Sequence, residues 1–185
     1  MLKKLFVLLL AISLIGCSDN DSDVRKNGFI VDGKFYETPY GGYFNLRAPD
    51  ENNFYVLLTD NKLWLNDSGG MELSDIKNTT LTSFEISLIL PGANAWEGEY
   101  IYSKTQNKSQ CASNFGYWAK QPFDSDSYPI DPPQPYPNPF PDIHSGVVEI
   151  LSKEGNDFEI EYEVVFNEGN RHVTGYFKGS LLFQN

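Results

Sequence analysis

The 185-residue chain reads as an all-β domain, and three features lead there. Apolar and polar residues alternate over several short runs, turn-forming residues separate those runs, and no stretch sustains a 3.6-residue period. The series Phe158, Ile160, Tyr162, Val164 and Phe166, interleaved with Glu159, Glu161 and Glu163, has one face for a core and one for water. The expected architecture is an antiparallel β-sandwich of about eight to ten strands with a C-terminal meander. A closed lipocalin-like β-barrel is the alternative.

The elements follow in order. Phe29 and Val31 lead into Asp32-Gly33, a pair favoured in two-residue hairpin turns, so residues 28–35 open a hairpin. Residues 42–47 form a short strand. Phe54, Val56 and Leu58 alternate with Tyr55, Leu57 and Thr59, and Asp60-Asn61 turns the chain into Leu63-Trp64-Leu65. Residues 71–79 are the one place where a helical turn fits. Phe84, Ile86, Leu88 and Leu90 share a face opposite Glu85 and Ser87, and Pro91-Gly92 stops that strand. Residues 97–102 and 147–151 are further strands. Glu154-Gly155-Asn156-Asp157 turns into the glutamate-faced strand, and Glu168-Gly169-Asn170 turns into a last one. There Val173, Gly175, Phe177, Gly179, Leu181 and Phe183 alternate with His172, Thr174, Tyr176, Lys178, Ser180 and Leu182.

The N-terminus carries a separate signal. Lys3 and Lys4 precede an apolar run over residues 5–15, broken only by Ser13, and Leu14-Ile15-Gly16-Cys17 closes it. That run fits a secretory h-region of ~7–15 residues and is short of the ~20 that span a bilayer. Small Gly16 admits a peptidase, and the Cys17 thiol is an acyl acceptor. The segment resembles bacterial lipoprotein signal peptides, which implies cleavage before Cys17 and lipid attachment there. Stable anchoring takes more than one acyl chain. The expected location is the outer membrane, on its surface or its periplasmic face. Residues 17–27 read as a tether, acidic and without apolar residues over Ser18-Asp19-Asn20-Asp21-Ser22-Asp23. That stretch resembles the acidic export signals of surface-exposed lipoproteins of the Bacteroidota; a plain hydrophilic linker is the alternative. Residues 28–185 are then a single domain by the usual ~100–200 residues.

Fourteen basic against 25 acidic residues give a net charge of −11, which argues against nucleic acid and anionic headgroups as partners. With Cys17 consumed by lipid, the chain has no disulfide framework. Cys111 is either a nucleophile, which requires His144 or His172 close by, or an inert buried thiol.

One segment stands apart. Residues 122–141 hold eight of the eleven prolines, which suits a stiff loop and not a central strand. With its approaches it is expected to span about residues 117–143 as an insertion. Its aromatic residues Tyr117, Trp118, Tyr128, Tyr136 and Phe140 are candidate ligand-binding residues, because rigid aromatic faces lose little entropy on contact and stack on sugar rings. Alternatively these aromatics, with Phe123, fold back to cap the core. Asp124, Asp126 and Asp131 place three carboxylates on the same loop, a Ca2+ candidate that lacks the glycine and final glutamate of an EF-hand. Nucleophile-elbow, metalloprotease, phosphate-loop and Cys-x-x-Cys motifs are missing from the sequence. Gly175 and Gly179 either relieve bulky neighbours such as Phe158 or Tyr162, or leave room for an apolar ligand.

Ile30-Val31-Asp32-Gly33-Lys34, Ile89-Leu90-Pro91-Gly92 followed by Glu97-Gly98-Glu99-Tyr100, and Val173-Thr174-Gly175-Tyr176-Phe177-Lys178-Gly179, together with the lipobox and tether, resemble small Bacteroidota lipoproteins of unknown function. That resemblance implies a single all-β domain acting as an envelope binding or scaffold module, not an enzyme. The expected partners are the membrane, through Cys17, and a glycan or envelope protein, with the chain monomeric. An apolar-ligand carrier and a carboxylate-dependent glycoside hydrolase are the alternatives.

Overall fold

A computed structural model describes residues 25–46, 52–74, 77, 79–92, 95–106, 109–126, 128–130, 142–167 and 170–184. Cys17, the expected signal segment and most of the expected tether lie outside the described residues, as do Asp131, Tyr136 and Phe140. Thirteen strands are present among the described residues, more than the eight to ten expected. They are β1 (Gly28–Val31), β2 (Lys34–Glu37), β3 (Tyr40–Asn45), β4 (Asn53–Thr59), β5 (Leu63–Leu65), β6 (Met71–Leu73), β7 (Thr80–Ile89), β8 (Gly98–Ile101), β9 (Cys111–Pro122), β10 (Ile143–Glu154), β11 (Asp157–Phe166), β12 (Arg171–Ser180) and β13 (Leu182–Gln184). No helix of the described residues is long and apolar enough to cross a membrane.

A six-stranded sheet runs β2-β1-β12-β11-β10-β8, and a five-stranded sheet runs β13-β3-β4-β7-β9. Neither closes into a barrel, so the architecture is the sandwich. Pairing within the sheets is antiparallel except for β13, which lies parallel to β3. That exception comes from the last hairpin. β12 pairs with β11 as far as Ser180, then Leu181 turns inward and the chain crosses to the other sheet. At the opposite side, a parallel bridge from Tyr102 to Ala112 joins the two sheets.

The alternation read from the sequence sets the layers. Phe158, Ile160, Tyr162, Val164 and Phe166 are all buried, as are Phe84, Ile86, Leu88 and Leu90. Asp32 and Gly33 both have positive φ (52° and 73°), the geometry of a two-residue primed turn. Two aromatic clusters fill the space between sheets. Tyr43, Phe54, Trp96 and Phe158 meet at centroid distances of 4.6–6.4 Å. At the other end Phe84 stacks on Tyr162 at 4.2 Å, and Tyr117 meets Phe29 and Phe166 at 5.9 and 5.3 Å. The Tyr100 hydroxyl is shared between the carbonyls of Trp96 and Ala95, which pins the approach to β8, and burial pushes its phenol up to about 12.

The structure differs from the sequence expectation in two segments. Residues 71–73 are strand β6, paired with β5, and not a helical turn: Met71 packs over Gly42 and its N–H donates to Gln184 Oε1 at 2.8 Å. The loop expected over residues 117–143 starts later, because β9 carries Tyr117 and Trp118 as far as Pro122. Pro122 is tolerated as the last residue of an edge strand.

Candidate functional site

The chain entering β1 is laid along the six-stranded sheet before it becomes a strand. Asn27 Nδ2 donates to the Lys178 carbonyl (3.0 Å), and the Lys178 N–H donates to Asn27 Oδ1 (2.8 Å). Arg25 pairs with Glu161 and sits 5.5 Å from the centroid of Tyr176. These contacts hold Arg25, Lys26 and Asn27 as one side of an open groove of about 750 Å³. Phe35, Tyr36, Glu37 and Pro39 line another part of it. Asp60, Thr82 and Lys120, from the ends of β4, β7 and β9, complete it. The volume is within the ~300–1,000 Å³ of ligand sites.

Each contributor is fixed locally. Asp60 and Thr82 are clamped in both directions: the Thr82 N–H donates to Asp60 Oδ1 (2.9 Å), and the Asp60 N–H donates to the Thr82 carbonyl (3.0 Å). Tyr36 stacks on Phe29 at 5.4 Å, and the Lys34 ammonium lies 5.1 Å from its ring centroid. Phe35 is 43% exposed. Lys120 is reached through a β-bulge. Leu81 pairs with Gln121 and Ser83 with Trp118, so Ala119 and Lys120 together oppose Thr82. Bulges re-aim side chains. Here Lys120 takes left-handed backbone, φ 57°, which costs an L-residue on the order of 1 kcal/mol. Three cations and two carboxylates thus line one groove on an acidic chain.

A second titratable pair lies on the outer face of the five-stranded sheet. Tyr55 donates to the Glu85 carboxylate. Burial raises Glu85 above the usual carboxylate range and outweighs that hydrogen bond, and burial beside Glu85 also raises the Tyr55 phenol.

The residues singled out by sequence are dispersed. Tyr117 is half-buried inside the sandwich, and its hydroxyl accepts from Arg171 Nη1 at 3.2 Å. Trp118 is on the other face of β9, edge-on to buried Phe123 at 6.3 Å. Tyr117 therefore follows the core-capping alternative, whereas Trp118 and Phe123 pack on each other instead. Tyr128 is 69% exposed. Asp124 Oδ1 accepts from the N–H groups of Asp126 and Tyr128, both at 2.9 Å, so it organises its own turn. Among the described residues no three His, Cys, Asp or Glu side chains converge on a point that suits a metal ion. Cys111 is fully buried, whereas His144 and His172 are exposed, and His172 bonds Glu163 at 2.8 Å. A Cβ at Gly175 would fall well inside 3.0 Å of the Tyr162 ring, so that space holds a side chain and not a ligand.

The groove residues escaped sequence reasoning because they come from five separate stretches of chain. Lys120 itself lies in a segment with no regular apolar alternation, so nothing in the local pattern marks it. Comparison with protein-family models, with curated proteins and with solved structures finds no match.

Proposed function

We propose that this chain is an exported lipoprotein, held to the outer membrane by lipid on Cys17, and that its β-sandwich is a non-catalytic binding module for a glycan. The lipobox and the acidic tether support the anchoring. The observation that carries the binding reading is the groove, which combines exposed Phe35 and half-buried Tyr36 with charged hydrogen-bonding groups on a braced rim. Aromatic faces stack on sugar rings, and the Asp60 and Glu37 carboxylates accept hydrogen bonds from hydroxyl groups. Little ordering is needed on contact, because strand ends and backbone bonds already hold the rim.

The anchoring is tested by metabolic labelling with palmitate. The wild-type chain takes up label and sediments with membranes, and Cys17→Ser does neither; a Cys17→Ser protein that still sediments refutes the anchor. The binding reading is tested by calorimetric titration of the lipidated protein in detergent with neutral and acidic oligosaccharides. Saturable heat with at least one of them is expected, and heat no greater than buffer dilution across the whole panel refutes the reading.

A further inference from the structure

We infer that the groove takes an acidic saccharide, one that carries carboxylate or sulfate groups along a hydroxyl-rich chain. This rests on the glycan reading above and specifies its ligand. The chain has 25 acidic and 14 basic residues, yet Arg25, Lys26 and Lys120 meet at one groove. Arg25 is occupied by Glu161. Among the described residues, neither Lys26 nor Lys120 has an ion-pair partner. Two lysines without an ion-pair partner thus line the groove, and their ammonium groups are available to a ligand.

The backbone points the same way. A lysine has no local reason to occupy left-handed backbone, which glycine or asparagine adopts at less cost. At the bulge opposite Thr82 this backbone geometry accompanies the entry of Lys120 into the same groove lining as Asp60 and Thr82. Strain of this kind gathers at ligand sites.

The remaining lining chooses among anions. A site built for inorganic phosphate gains nothing from Asp60 and Glu37, which repel it. A site for a neutral sugar gains little from two ammonium groups. Carboxylates for hydroxyls, ammonium groups for acidic substituents and the exposed Phe35 ring for a sugar face suit a ligand that has all three features. The net negative charge of the protein opposes the approach of such a polymer, so contact is confined to the groove and weakens as salt screens its cations.

The test is calorimetric titration of the lipidated protein in detergent with three probes: oligogalacturonate, its methyl-esterified neutral form, and inorganic phosphate alone. A sulfated galactan oligomer run in parallel identifies which acidic group is preferred. Oligogalacturonate or the sulfated oligomer should bind at least about tenfold more tightly than the esterified form, as expected for loss of charge-assisted hydrogen bonds. Lys26→Ala and Lys120→Gly should each weaken that binding about tenfold or more. Lys120→Gly relieves the left-handed backbone, so its melting temperature should equal or exceed that of the wild type while binding falls. A purely structural lysine would not separate the two readouts. Equal binding of esterified and acidic oligomers overturns the inference and leaves the glycan reading intact. Phosphate alone binding as tightly as the acidic oligomers, or both lysine variants binding like the wild type, also overturns it. No binding of any oligomer removes both readings.

Discussion

Replacing Gly175 with alanine puts a methyl group into the ring of Tyr162. The two residues are cross-strand partners on β12 and β11, and the new Cβ would lie well inside 3.0 Å of Tyr162 Cζ, Cε2 and Oη. The ring has nowhere to move. Phe84 stacks on it from the other sheet at 4.2 Å and 20°, its hydroxyl points to the Gly28 carbonyl at 3.4 Å, and the residue is 4% exposed. Overpacking of a filled core costs about 1–3 kcal/mol, occasionally more. A ring locked on both faces puts Gly175→Ala at the upper end, about 3 kcal/mol. For a domain of this size that corresponds to a fall of roughly 6–12 °C in melting temperature. Tyr162→Ala alone opens a cavity and costs about 3–5 kcal/mol. In the double variant the methyl group added at position 175 no longer meets a ring, so the two losses should fall short of additivity by about 1–3 kcal/mol. Urea unfolding of the four proteins measures this directly. A Gly175→Ala protein that melts within about 2 °C of the wild type, or strictly additive losses, would refute the packing argument.

Glu85 predicts a pH dependence. Its folded pKa is raised above the ordinary value of 4.5, so the fold favours the neutral carboxyl, and stability declines as pH rises from about 4.5 through the raised value. Glu85→Gln should flatten the stability profile over that interval, and parallel profiles for the two proteins would exclude the effect. Phe123→Ala should lower the melting temperature by several degrees, as expected for about 3 kcal/mol of lost packing, whereas Tyr128→Ala should leave it within about 1 °C. Cys111 should react with a thiol reagent only as fast as the domain opens, so urea should accelerate the reaction in step with unfolding.

Much of the fold was legible because alternation and burial obey the same period. β11 follows the pattern residue by residue, β4 and β7 bury the predicted apolar face but also Thr59, Thr82, Ser83 and Ser87, and Asp32-Gly33 forms the turn its composition demands. β9 was not legible. Its segment, Cys-Ala-Ser-Asn-Phe-Gly-Tyr-Trp-Ala-Lys-Gln-Pro, mixes small and polar residues with a glycine and a proline, and its bulges shift the period partway along. β9 is nevertheless a full strand because β7 supplies a long ladder and Phe115 fills the core beneath it. The crossing of the last hairpin was hidden for a different reason: residues 181–183 continue the inward alternation of β12, and alternation does not reveal which sheet a strand joins. The groove was out of reach for a third reason. It is a property of strand ends brought together by topology, which no local sequence pattern records.

The distribution of charge explains how one acidic chain can gather cations at a groove of mixed charge. Across the outer face of the six-stranded sheet, Glu99, Glu149 and Glu161 stand directly opposite one another on β8, β10 and β11. Like charges in that register are destabilising. Relief comes from one end of the row, where Glu161 meets Arg25, and from the neighbouring positions, where Glu159 takes hydrogen bonds from Lys178 and Tyr176 at 3.0 and 2.8 Å. The same Arg25 begins the stretch that lines the groove. The acidic sheet therefore does more than keep the surface soluble: its carboxylates hold Arg25 and, through Lys178, the Asn27 backbone clasp in place. Neutralising Glu161 should accordingly loosen the groove rim as well as relieve repulsion. In hydrogen exchange, Glu161→Gln should speed exchange of the Lys178 amide, which Asn27 holds, while amides of β7 keep their protection. Unchanged exchange at Lys178 would mean that the Asn27 contacts alone brace the rim.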